Sequence, residues 1–287
     1  KLLCKDGNTI SFPLHCACYN ENCPNEVIKL LINENPGALE ISCFVWDGVD
    51  VDSDYYIEGL PLHYYLTRQN VDIGTVKALV QAYPAALLHQ PENEMHLAPI
   101  HVILSNQNTN NLHDVLAYLI DSEPSSVRMI SSNQVTPLHL ACKNKCITLE
   151  TVHLLFNRWP EAIGLSDGTG LLPIHELCYN AEVDDIVSND ILRFMMMDPT
   201  LLRERSDNGY LPIHIAVSHK SFAFCKALID AYPESVKVEG DHYLPIHEAC
   251  QFGSRDDSIE TIQYLLRLYP ESLHVREELN GWLPIHV

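Results

Sequence analysis

The chain has 287 residues, 46% of them hydrophobic, which suits an ordered chain with a buried core and excludes a disordered one. Asp and Glu number 38 against 18 Lys and Arg, a net charge of −20 with no basic cluster to relieve it, so nucleic-acid phosphates and acidic membrane surfaces are repelled. No apolar run approaches the ~20 residues of a transmembrane helix, and no signal peptide is visible.

Along the chain one tripeptide recurs, Pro-Leu-His or Pro-Ile-His, with its proline at 13, 61, 99, 137, 173, 212, 245 and 284. Proline suits a first helical position because its missing N–H needs no partner there, so each tripeptide predicts a helix start. The helix is expected to run about two turns. Asn20, Asn106, Asn144 and Asn180 fall five residues after the motif histidine, and Asn tolerates the left-handed conformation that closes a helix.

A second series of prolines, at 36, 84, 124, 160, 199, 233 and 270, marks the end of a second helix. The residues before it share one apolar template: Ile73, Val76, Leu79, Val80 and Tyr83; Leu149, Val152, Leu155, Phe156 and Trp159. Two later stretches repeat it: Phe222, Cys225, Leu228, Ile229 and Tyr232; Ile259, Ile262, Leu265, Leu266 and Tyr269. That is one face of an amphipathic helix. Asp167-Gly168, Asn208-Gly209 and Asn280-Gly281 suit tight hairpin turns ahead of the tripeptide. Each unit therefore reads turn, short helix, longer helix, loop, with units starting near 9, 57, 95, 133, 169, 208, 241 and 280. A repeat of this size is that of a helical stack. The first spacing holds an acidic insert at about 44–58, with Asp47, Asp50, Asp52, Asp54 and Glu58. Its Asp-x-Asp-x-Asp run imitates a calcium loop, but Tyr55 stands where the glycine belongs and Pro61 where the bidentate Glu belongs, so a solvated loop is expected.

At this point the residues resemble the ankyrin repeat. Thr136-Pro137-Leu138-His139-Leu140-Ala141 matches that family's opening motif in full, and Pro212-Ile213-His214-Ile215-Ala216 and Pro245-Ile246-His247-Glu248-Ala249 match most of it. The resemblance implies an all-α, ankyrin-like helix-turn-helix repeat solenoid: one array over residues 1–287, with seven full repeats and a truncated eighth. It also implies a motif Thr that fixes the histidine. Only Thr136 keeps that Thr, so the bonding at the other turns is expected to differ. Tyr65, Ile103 and Leu177 stand where the family has a small Ala, and wider helix spacing is expected there.

The motif histidines, His15, His63, His101, His139, His175, His214, His247 and His286, come one per repeat, about 10 Å apart in such a stack. Metal ligands must converge within roughly 2 to 2.5 Å of one point, so these are expected to be structural, bonding to backbone across repeats. Cys18, Cys142, Cys178 and Cys250 alternate with Leu66, Leu104 and Val217 three residues after the motif histidine, which marks a buried apolar position. No zinc set at the usual spacing, no phosphate loop and no metalloprotease or serine-nucleophile motif is present. No cofactor and no catalytic residue are expected.

The surface feature of most interest lies four residues before the motif histidine, where Tyr210, Tyr243 and Trp282 fall in three successive repeats. Aromatics of this kind either anchor a partner or pack on neighbouring turns, and the sequence leaves both open. By position, Tyr179, Ser218, His219 and Gln251 on the short helices stand beside this stripe. The expectation is a non-catalytic scaffold that binds a partner protein on the concave face of turns and short helices, with a basic patch on the partner matching the acidic array. The alternative is a structural spacer or cap in a larger protein. Neither nucleic acid nor membrane is expected as partner. A monomeric piece of a longer chain, in an intracellular and cytoplasmic setting, is expected from the start at Lys1, the cut motif at Val287 and the reduced cysteines.

Overall fold

The computed structural model of the chain describes residues 2–3, 10–44, 58–93, 95–253 and 255–287. The acidic residues Asp47, Asp50, Asp52 and Asp54 lie outside them. The chain divides into two compact units, residues 1–132 and 133–287.

The first unit carries three repeats. Its short helices are α1 (Pro13–Tyr19), α3 (Pro61–Leu66) and α5 (Pro99–Ser105), and its longer ones are α2 (Asn25–Glu34), α4 (Ile73–Ala82) and α6 (Leu112–Ser122). Two short antiparallel pairs form the fingers ahead of α1 and α3: β1 (Leu2–Leu3) with β2 (Ile10–Ser11), and β3 (Cys43–Phe44) with β4 (Glu58–Gly59). The second unit has the short helices α7 (Pro137–Lys143), α9 (Pro173–Tyr179), α11 (Pro212–His219) and α13 (Pro245–Phe252). Their longer partners are α8 (Leu149–Arg158), α10 (Asp185–Met195), α12 (Phe222–Ala231) and α14 (Ser258–Leu268). In each unit, short helices pack on short helices of the neighbouring repeats and longer helices on longer ones. The fold is all-α, an ankyrin-like stack of helix pairs.

Seven of the eight motif prolines open a short helix, and Pro284 opens only a turn. Three of the longer helices start at side-chain caps: Asp72 accepts from Thr75 N, Thr148 from Thr151 N, and Asp184 from Ile186 and Val187 N. The core face of the longer helices is the expected one at Val76, Leu79 and Val80 and at Cys225, Leu228 and Ile229, all buried. Burying such side chains stabilises the fold by about 1.5–3 kcal/mol each. A small hydroxyl joins this face at Thr75, Thr151, Ser188 and Thr261. Each is satisfied inside the core, for instance Thr75 Oγ1 by the Asp72 carboxylate at 2.8 Å.

Two expectations change. The stretch after each longer helix is not a loop: the proline that stops the α-helix opens a five-residue 3-10 turn, as at Pro36–Glu40, Pro84–Leu88 and Pro233–Lys237. Proline cannot continue a helix, yet its fixed φ suits a first helical residue, so one residue does both. Nor do Asn20, Asn106, Asn144 and Asn180 adopt the left-handed conformation; their φ lies between −73° and −80°. They act through their side chains. Nδ2 of Asn106 donates to the carbonyls of Leu66 (2.9 Å) and Arg68 (2.7 Å), and Nδ2 of Asn180 donates to those of Cys142 (2.9 Å) and Asn144 (3.1 Å). Each is a rung from one short helix to the end of the preceding one. Tyr65, in the family's Ala position, is wholly buried and its hydroxyl donates to Asn25 Oδ1 at 2.9 Å.

The fingers of the second unit are joined through backbone. Gly168 N donates to Asn133 O at 2.7 Å and Asp207 N to Thr169 O at 3.1 Å. Positive φ falls at Gly209 and Gly281 as the turn signals predict, but at Gly170 rather than Gly168. The Asp167 carboxylate accepts from Thr169 N and Leu171 N, which moves that turn two residues on. A Cβ at Gly170 would sit 2.5 Å from Asp207 N, so close approach of two fingers requires the glycine.

Candidate functional site

His63, His139 and His214 are oriented by backbone at both ring nitrogens, and most of the other motif histidines at one. The N–H of the residue before the motif proline donates to Nδ1, at 3.2 Å from Leu60 to His63, 3.0 Å from Leu172 to His175 and 3.1 Å from Leu211 to His214. His101, His139, His247 and His286 receive the same bond. An accepting Nδ1 places the ring proton on Nε2. That N–H donates to a distant carbonyl: His15 to Ile41 (2.8 Å), His63 to His89 (3.2 Å), His139 to Leu171 (2.9 Å) and His214 to Val238 (2.9 Å). Ile41, His89 and Val238 each follow directly on a 3-10 turn, so the ring ties the short helix to the end of its own repeat. Thr136 adds a 2.8 Å contact between its hydroxyl and His139 Nδ1; His63, His101, His175, His214, His247 and His286 keep the backbone bond without it. Burial pushes His63 down to about 3 and His175 and His214 to about 4.

Cys18, Cys142 and Cys178 are fully buried, and Cys250 is partly exposed. Burial raises their thiols, Cys178 to about 12, so they stay protonated. Among the described residues no three His, Cys, Asp or Glu side chains converge as a metal site would need.

In the second unit an open groove of about 410 Å³ crosses three successive short helices. Tyr179 enters it from α9, and Tyr210 from the finger before α11. From α11 come His214, Ile215, Ser218 and His219; from α13 come Glu248 and Phe252. Tyr179 and Phe252 are the exposed rings, at 43% and 53%. Tyr179 also leans on His219, with ring centres 5.7 Å apart. Tyr210 lies against the ring of its own motif residue, His214, at 5.6 Å, and its hydroxyl donates to Glu248 Oε1 at 3.0 Å. Gly240 gives Tyr210 its neighbour: a Cβ there would lie 3.0 Å from the tyrosine ring and 2.9 Å from Gly209 O.

The groove's electrostatics follow from burial. Glu248 is only 7% exposed, and desolvation pushes its carboxyl up. Desolvation, then Glu248, holds the Tyr210 phenol well above its ordinary range. Tyr179 is raised by burial and by the carboxylates of Glu176 and Glu248. His219 is lowered by burial and by Lys220 beside it, so it enters the groove uncharged at neutral pH.

Of the residues singled out by sequence, the structure brings Tyr179, Tyr210, Ser218 and His219 together. Gln251 is exposed on α13, next to Phe252. Tyr243 is half-buried against its own motif ring, His247, at 6.0 Å. Trp282 is 44% exposed, and its main-chain N–H donates to the Glu277 carboxylate at 3.0 Å. Neither Tyr243 nor Trp282 lines the groove. Sequence reasoning missed Glu248 and Phe252. A signal was there: His219 and Phe252 stand five residues after a motif histidine, where other repeats carry the Asn rung. Without Asn, those positions turn rings to the surface.

Comparison with known families gives one match: the ankyrin repeat model fits residues 11–41. No curated protein matches the chain. The match and the recurring helix pair are consistent with an ankyrin repeat family. Ankyrin repeats are protein–protein interaction modules, and proteins built of them are typically non-catalytic. Among the described residues no helix is long and apolar enough to cross a membrane.

Proposed function

We propose that this ankyrin-like array is a non-catalytic scaffold that holds a partner protein through the groove of its second unit. The observation that carries this reading is the groove itself, lined by exposed aromatic rings from two short helices, Tyr179 and Phe252, together with a buried carboxylate. Large, semi-rigid rings in a concavity are the side chains that most often dominate protein interfaces. Ser218, His219 and Tyr210 complete its walls, while Gln251, Tyr243 and Trp282 lie on the same run of fingers and short helices and extend the contact. The eight motif histidines are structural in this reading. A net charge of −20 favours a partner with a basic face, met in the cytoplasm or another intracellular space.

The test is capture from a source-cell lysate by the wild-type chain and by a Tyr179→Ala/Phe252→Ala variant of matched helicity. A protein retained by the first and lost from the second places the contact at the groove; equal capture of that protein by both rejects the groove. A spacer is the second reading, and it rests on Tyr210 and Tyr243 each packing on their own motif histidine. Capture of nothing by either chain favours it.

A further inference from the structure

Glu176 and Glu248 occupy the same place in successive odd-numbered repeats, the residue after the motif histidine. Both are nearly buried, at 8% and 7% exposure, and desolvation pushes both carboxyls up. Their surroundings differ in one respect. Glu176 has a cation of its own: Lys143, at the end of the preceding short helix, lies 4.0 Å away. The residue that corresponds to Lys143 in the helix before Glu248 is Ser218, four residues after its motif histidine. Its hydroxyl points to the main-chain carbonyl of Glu248 at 3.5 Å and brings no charge. Among the described residues no Lys or Arg forms an ion pair with Glu248, and its carboxylate receives one hydrogen bond, from Tyr210. The adjacent Lys220 is buried and turned to Asn180 and Ser188 instead. An ionised carboxylate has room for about four hydrogen bonds, so this one is under-supplied.

We infer that the groove receives an arginine side chain of the partner protein, with Glu248 as its counter-charge and the rings of Tyr179 and Phe252 as its stacking faces. The inference rests on the protein-binding reading above and names what that groove recognises. An aromatic face attracts a cation through its quadrupole, and a buried carboxylate without a resident cation gains most from one brought in. Arginine fits better than lysine because its planar guanidinium reaches a carboxylate through two parallel N–H bonds and stacks on a ring at the same time. Uncharged His219 opposes no cation in the groove.

The test titrates Nα-acetyl-arginine amide, at millimolar concentration, into the isotope-labelled chain and follows the NMR signals of Ile215, His219 and Phe252. Saturable shifts confined to the groove are expected, with the uncharged citrulline analogue at least about 10-fold weaker and the lysine analogue between them. Glu248→Gln should weaken the arginine response by at least about 10-fold. Ser218→Lys installs the cation that Lys143 supplies to Glu176, and it should suppress the response while leaving signals elsewhere in place. Equal responses to arginine and citrulline, an unchanged response in both variants, or no groove shifts in the wild type overturns the inference. If arginine fails while protein capture still depends on Tyr179 and Phe252, the guanidinium is rejected and the protein-binding reading stands.

Discussion

The ammonium of Lys220 donates to the main-chain carbonyl of Asn180 at 2.5 Å. It replaces a rung. In the preceding repeat Asn180 itself makes this cross-helix link, to Cys142 and Asn144; one repeat later His219 stands at the Asn position and the next residue, Lys220, reaches back instead, also bonding Ser188 Oγ at 2.9 Å. The exchange keeps the stack joined and leaves His219 available to the groove.

Asn180→Ala should therefore weaken the second unit by about 1–3 kcal/mol, since it strips a shared donor from two buried carbonyls. Urea unfolding followed by circular dichroism measures this. A loss within experimental error would show that the rung carries no stability.

Lys220 should impose a pH dependence of its own. Burial lowers its ammonium from 10.5 to about 8. Between those two values the unfolded chain binds the proton that the folded chain has released, so this group's contribution to stability rises with pH across that window. The wild-type stability minus that of Lys220→Met should climb by about 3 kcal/mol from pH 8 to 10.5, with denaturant midpoints read at each pH. A flat difference refutes the buried ammonium.

The motif histidines set the acid limit. His175 and His214 are held by burial near 4 against an ordinary 6.5, so below 6.5 the unfolded chain takes up protons that the folded chain refuses. Stability should be full above pH 6.5 and fall toward pH 4, by on the order of 3 kcal/mol for each such ring. Glu176 and Glu248, with raised carboxyls, act in the opposite sense and soften the fall. His214→Asn should flatten the profile in that window; an unaltered slope would mean that another group sets it.

Thiol labelling separates the cysteines. Cys18, Cys142, Cys178 and Cys225 are fully buried, whereas Cys23 and Cys146 are partly exposed. Iodoacetamide at neutral pH, read by mass spectrometry, should mark the last two in the folded chain and reach the first four only in denaturant. Prompt modification of Cys178 in the folded chain contradicts its burial.

What the sequence made legible is what periodicity carries. The apolar template located Val76, Leu79 and Val80 in the core, and the motif prolines located every short helix. The five-residue 3-10 turns were hidden because so short an element has no period to detect and shares its first residue with a helix stop. The asparagines were recognised as special but given a conformational role, when their effect comes from amide groups reaching carbonyls some forty positions away, as from Asn180 to Cys142. The groove was half legible. Tyr179, Ser218 and His219 follow from position on the short helices, and Tyr210 from position on the finger ahead of one. Glu248 and Phe252 gain meaning only when Ser218 is set against Lys143 and Phe252 against the Asn rungs, a comparison between repeats that no single motif displays.

The histidine braces all end on main-chain oxygens, and the residues that supply them, Ile41, His89, Leu171 and Val238, have little in common as side chains. A carbonyl survives any substitution at the residue that owns it. Mutations at these four accepting positions can therefore accumulate without releasing the short helix from the carbonyl that holds it, and only the donor histidine must be kept. Such a frame is permissive to drift: its surface is free to be rewritten for a new partner while the joints stay as they are.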